Sequence, residues 1–242
     1  METASGPLIP DTADALCLRS TNDYPHLVAA RLGLDLTDVT CSGATTDNIV
    51  GTPQGAVPPQ INALAADTRI VTLTIGGNDV LYSGSAIACA AAGLQGQSCL
   101  GSTIHPDDIA RRLAGLESKL LALFDRIKAT APAAKIFMVS YFRMLPARDG
   151  PCPPSVPMLA GDEAFIARLG RSLQRISRRA AHRAKVQFVD IYAPKHHDAC
   201  APPGQRWVEG QVPASPALIF HPNAAGMQAA AKLIVKRIKR TF

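Results

Sequence analysis

Three short stretches hold residue types suited to acyl-transfer chemistry. The run VTLTIGGNDV, residues 71–80, sets an apolar, β-branched segment against two glycines, an asparagine and an aspartate. The glycines permit a sharp turn or a close approach, and the Asn78 amide offers two N–H donors. An ordinary turn uses the same residue types. In FHPNAAGM, residues 220–227, Pro222 suits the first position of a helix, where its missing N–H costs nothing. His221 then sits at a helix entrance, where a fixed imidazole can act as a general base, although a lone histidine is more often structural. In CSGATTDN, residues 41–48, Gly43 can present a bare backbone N–H, or simply turn the chain beside a cysteine. Together, Gly43, Asn78 and His221 amount to an oxyanion hole plus a base, without a nucleophile.

Such a set needs a scaffold that brings distant loops to one place. Strand-like and helix-like patterns alternate along the chain. YPHLVAARLGL reads as a short helix ending at Gly33, followed by a weak strand near 37–41 and a short helix in PPQINALAAD. A strong strand covers 69–75, and a small-residue loop holding Cys89 and Cys99 follows it. HPDDIARRLAGLESKLLALFDRIKATAP is a long amphipathic helix with acids in its first turn, as the helix dipole favours. KIFMVSY and VQFVDIY are strands, separated by a proline-rich loop with Cys152 and a helix over 161–184; a last helix runs from Pro222 to about Arg240. This alternation predicts an α/β fold, a parallel sheet with helices on both faces, in one domain over 1–242. In such sheets sites form beyond the carboxyl ends of the strands, which is where residues 76–79 fall.

The composition, 47% hydrophobic and 18% charged, is that of a globular chain rather than a disordered one. The formal charge of +6 is concentrated in RLGRSLQRISRRAAHRAK and KLIVKRIKR. Phe165, Leu169, Leu173, Ile176 and Ala180 recur at helical spacing there, leaving the arginines on a solvated face, and no aromatics interleave with them. A nucleic-acid partner is therefore not expected. No stretch reaches the ~20 apolar residues of a membrane span, and the first residues have neither the basic start nor the apolar core of a signal peptide. The six cysteines, Cys17, Cys41, Cys89, Cys99, Cys152 and Cys200, contain no CxxC pair and read as disulfides of an oxidising compartment. Fifteen connectivities are open to six cysteines, of which sequential pairing is the most local.

The segments CLRSTNDYPHLVAARLG, VTCSGATT, PPQINALAADTRIVTLTIGGND, HHDACAPPGQRWVEG and FHPNAAGM, in that order, resemble the SGNH (GDSL) hydrolases. The likeness is to their secreted, three-disulfide actinobacterial lipase/esterase branch. It implies a three-layer, flavodoxin-like α/β/α fold and an ester hydrolase that forms an acyl-serine. Gly43 and Asn78 match the oxyanion donors and His221 the base; Asp79 is expected to tie down its loop. The family often places an aspartate three residues before the histidine, but here that position is Leu218, so the resemblance implies that the Leu218 carbonyl orients the imidazole. Neither a cofactor nor a metal is implied: adjacent His196 and His197 rarely converge on one ion, and HHDAC is read as architectural. Trp207 either lines an acyl pocket or fills core, with packing favoured.

One family block has no counterpart. The strand ending in Gly-Asp-Ser-Tyr carries the nucleophile, and alignment sets Met1, Glu2 and Thr3 where Asp-Ser-Tyr belongs. Ser5 comes three positions late and lacks the strand-to-helix turn that exposes a nucleophile. The expectation is an N-terminally incomplete domain that lacks its first, central strand, keeps base and oxyanion donors, and has no nucleophile. A catalytically inactive binding module is the alternative. The substrate is expected to be a small-molecule or lipid ester, the location extracellular, and the chain a monomer.

Overall fold

The computed structural model describes residues 16–146, 152 and 154–242. Helices α1 (Tyr24–Leu32) and α2 (Thr46–Val50) precede strand β1 (Ile70–Leu73). They are followed by α3 (Tyr82–Gly93), α4 (Pro106–Thr130), β2 (Lys135–Val139), α5 (Ala160–Arg183), β3 (Gln187–Val189) and α6 (Ala224–Ile238). Among the described residues the sheet has three strands, all parallel, in the order β1-β2-β3. Alternate residues of a strand face opposite sides. Ile136 and Met138 join the core under α3, α4 and α5, while Phe137 and Val139 pack beneath α1 and α6. The result is the expected three-layer α/β/α arrangement.

The helices follow from their apolar periodicity. In α4 the buried positions Ile109, Leu116, Leu120, Leu123, Phe124 and Ile127 form one stripe. Asp107 and Asp108 occupy its first turn, and Lys128 in its last turn donates to the Ala184 carbonyl at 2.6 Å. Each fully buried leucine of that stripe contributes roughly 1.5–3 kcal/mol. In α5 the stripe Leu169, Leu173 and Ala180 is buried, and its arginines lie on the surface, where Arg179 and Arg183 hold Glu117 at 2.7 and 2.9 Å.

Three expectations need correction. Residues 37–41 form no strand. They are fastened by other means: the Arg19 guanidinium donates to the Asp38 and Thr40 carbonyls at 2.7 and 2.9 Å, and Cys41 is bonded to Cys17. The small-residue stretch after β1 is a loop only in part: Tyr82–Gly93, with Cys89, form the twelve-residue helix α3, whose run of alanines has the highest helix propensity of any residue, and Cys99 lies beyond its end. The last helix begins at Ala224 rather than Pro222, because the Asn223 side chain accepts from Gly226 N–H at 3.0 Å and caps it there. The cysteine sulfurs are joined as 17–41, 89–99 and 152–200.

Candidate active site

The turn after β1 is shaped by contacts that require glycine. Gly76 has φ +100°, and a Cβ on Gly77 would lie 2.6 Å from the Tyr141 ring. Gly77 N–H donates to the Tyr141 hydroxyl at 2.9 Å, so the ring both fills the space a side chain would need and fixes the backbone. Asp79 is buried and does the tying expected of it. It accepts from Thr46 N–H at 3.0 Å and from Thr46 Oγ1 at 2.6 Å, with Lys119 Nζ at 3.4 Å. Asn78 Nδ2 donates to the Ala44 carbonyl at 3.0 Å. The turn bearing Asn78 and the loop bearing Gly43 are thus bound to each other. Gly43 itself takes φ +82°, beside Ser42, whose carbonyl accepts from Gln54 Nε2 at 2.7 Å.

His221 hangs from a different framework. Phe220 before it is left-handed, with φ +56°, a conformation costly for a bulky residue and sustained only by firm surroundings. Those surroundings are polar and buried. Glu209, 0% exposed, accepts from Ser215 Oγ (2.6 Å), Asn223 Nδ2 (2.8 Å) and Ala214 N–H (2.9 Å), with Arg206 Nη1 at 3.4 Å. Burial pushes the Glu209 carboxyl up, but these donors and the Arg206 charge outweigh it and hold it below the usual carboxylate range. Glu209 N–H in turn donates to the His221 carbonyl at 3.0 Å.

The imidazole is oriented by Ile219, not Leu218. His221 Nδ1 lies 2.7 Å from the Ile219 carbonyl. The Leu218 carbonyl accepts instead from His221 backbone N–H, at 3.1 Å, because the chain folds back in a tight turn there. With Nδ1–H donated to Ile219, Nε2 is the proton acceptor. Burial lowers the His221 pKa, which the Ile219 hydrogen bond only partly offsets, so the ring is neutral near pH 7.

Gly43, Asn78 and His221 all line one cavity of about 230 Å³ above the carboxyl ends of the strands. Ile87, Phe142, Met144, Val208, Phe220 and Met227 give it apolar walls. Ser140, at its floor, accepts from Ile191 and Tyr192 N–H groups at 2.9 and 3.2 Å. Trp207 stacks on His197, centroids 3.9 Å apart, and meets Phe142 edge-on at 6.3 Å. His197 Nδ1 is 2.6 Å from the Gln205 carbonyl, and Asp198 accepts from Cys200 N–H at 3.1 Å. Met1, Glu2, Thr3 and Ser5 lie outside the described residues. Sequence reasoning missed Ile219, Tyr141, Arg206 and Glu209. Arg206 and Glu209 stand in the stretch QRWVEG, but nothing in that stretch marks them as partners of Ser215 and Asn223.

The GDSL-like lipase/acylhydrolase family matches residues 5–229. Lipase 2 of Streptomyces coelicolor is 36% identical over 232 residues, covering 92% of this chain and 77% of that protein. A lipase of Streptomyces rimosus is 28% identical over 224 residues, 89% and 75% of the two chains. Among solved structures, the extracellular lipase of Streptomyces rimosus superposes with a TM-score of 0.73 at 24% identity, over 96% of this chain and 93% of that one. Phospholipase A1 of Streptomyces albidoflavus gives 0.70 at 22%, over 97% and 96%. These two share the fold. The chain belongs to the GDSL-like lipase/acylhydrolase family and is by family an ester hydrolase.

Proposed function

We propose that the acyl-serine mechanism serves here for a secreted hydrolase of small-molecule or lipid esters, with His221 as base and Gly43 and Asn78 as oxyanion donors; no residue of 1–242 is assigned as the nucleophilic serine. His221 Nε2 takes the serine proton, and the Gly43 N–H and Asn78 amide hold the oxyanion as the carbonyl becomes tetrahedral. Each such donor is typically worth about 3 kcal/mol. The proton then passes from His221 to the leaving alcohol, and water attacks the acyl group by the same route in reverse. The observation that carries this reading is the meeting of His221, Asn78 and Gly43 at one apolar-walled cavity, with Nδ1 already engaged by Ile219. Three disulfides suit an oxidising exterior, and no helix among the described residues is long and apolar enough to cross a membrane. The reading takes 1–242 as one monomeric domain without nucleic-acid partner, cofactor or metal in the reaction.

The alternative reading is a binding module that keeps the cavity and carries out no chemistry. A fluorophosphonate, which captures activated serines covalently, separates the two. Labelling that disappears in His221→Ala, with the modified serine mapped by mass spectrometry, establishes the hydrolase and its nucleophile. A folded chain that takes up an ester or fatty acid but is never labelled establishes the module.

A further inference from the structure

The start of α1 and the run 35–41 enclose side chains that the ester site does not use. Asp23, the N-cap of α1, is 0% exposed, and its Oδ1 lies 2.8 Å from His26 Nδ1. Asp38 aims at the same imidazole: its side chain is 6% exposed and its Oδ2 stands 3.7 Å from Nδ1. Asp38 Oδ1 accepts from Thr40 N–H at 2.9 Å. Each carboxylate keeps one buried oxygen, Asp23 Oδ2 and Asp38 Oδ2, with no hydrogen-bond partner. Leaving such atoms dry and unpaired is costly, and an Nδ1 proton directed at Asp23 Oδ1 satisfies neither of them.

We propose that Asp23, His26 and Asp38 bind a divalent cation of the zinc class. Ligand atoms from all three lie within 4.8 Å of one another, close to the spread that bonds of about 2.0–2.2 Å allow. Two carboxylates and an imidazole suit zinc and its neighbours, whereas calcium and magnesium take oxygen alone. The ion replaces the proton on Nδ1: a neutral ring carries its proton on Nε2, and an imidazolium releases one to water. The His26 side chain is 30% exposed, which gives an ion an approach from solvent, and the fourth position of a three-ligand zinc is commonly filled by water. A bound ion would clamp the start of α1 to the run that leads through Cys41 into Gly43, away from the reacting atoms.

The test is calorimetric titration of the EDTA-stripped chain with Zn²⁺, paired with thermal unfolding. The expected result is one ion per chain and a thermal midpoint raised by roughly 5–10 °C at a hundredfold excess over Kd. Asp38→Asn and His26→Gln should each weaken binding by at least about tenfold. Asp23→Asn should do the same while keeping an N-cap acceptor, so that loss of binding is not loss of the helix. Binding undiminished in all three variants overturns the site. So does calcium binding in preference to zinc. No binding at all means that a proton alone occupies the cluster.

Discussion

Replacing Gly77 by alanine tests how the Asn78 turn is held. The added Cβ would stand 2.6 Å from Tyr141 Cζ and 2.7 Å from its hydroxyl, distances at which something must move. The backbone cannot yield easily, since Asp79 two residues on is pinned to Thr46 at 2.6 and 3.0 Å. The ring must therefore leave. It loses the 2.9 Å bond from Gly77 N–H, worth about 1 kcal/mol, and its edge-on contact with Tyr82, centroids 6.1 Å apart, worth about 0.5–1.5 kcal/mol. Repacking a filled site adds to this, giving a destabilisation of about 2–4 kcal/mol. Urea unfolding of Gly77→Ala, Tyr141→Ala and the double variant measures it. If the clash is the cause, the double variant costs little more than Tyr141→Ala alone. A Gly77→Ala penalty below about 0.5 kcal/mol, or strict additivity with Tyr141→Ala, would refute the reasoning. Gly115→Ala is the contrasting control: nothing lies within 4 Å of its added Cβ, in the exposed middle of α4, so it should stabilise by about 0.5–1 kcal/mol.

Three further outcomes are expected. NMR titration of His221 should show protonation below 6.5, because burial disfavours the imidazolium; base-dependent turnover then persists below that pH and falls only as the ring charges. A midpoint above 6.5 would contradict the buried, Ile219-bonded ring. Glu209→Ala strands the Arg206 guanidinium, itself 4% exposed, and should cost about 3–5 kcal/mol in chemical unfolding. Disulfide removal should scale with loop length: about 4 kcal/mol for Cys152–Cys200, which spans 48 residues, against about 3 for Cys89–Cys99, which spans 10. Paired cysteine-to-serine variants, unfolded in urea, would show the order.

What could be read from the sequence was what repeats or recurs locally. The strands, α4 and α5 carry apolar periods strong enough to place them, and the glycines of 76–77 mark a turn whatever surrounds it. Capping failed at Pro222 because two neighbours compete for the same end, and the Asn223 side chain wins by accepting from Gly226. Helix α3 was obscured because its alanines have no amphipathic contrast; propensity and the Cys89–Cys99 bond hold it. The orienting carbonyl slipped by one residue, from Leu218 to Ile219, since a left-handed Phe220 cannot be foreseen from composition. The Glu209 network was invisible for a deeper reason: its partners Arg206, Ser215 and Asn223 converge only after folding.

The link between the Asn78 turn and the Gly43 loop makes the two proposed donors mechanically one body. Thr46 and Ala44 are held by Asp79 and Asn78, so a shift of either loop carries the other with it. His221 is hung from Glu209 N–H by its carbonyl, while Phe220 beside it joins the same core as Ile75 and Val80 around the Asn78 turn. The base therefore meets both donors across one shared core, and its placement is a single relation to a linked pair rather than two independent ones.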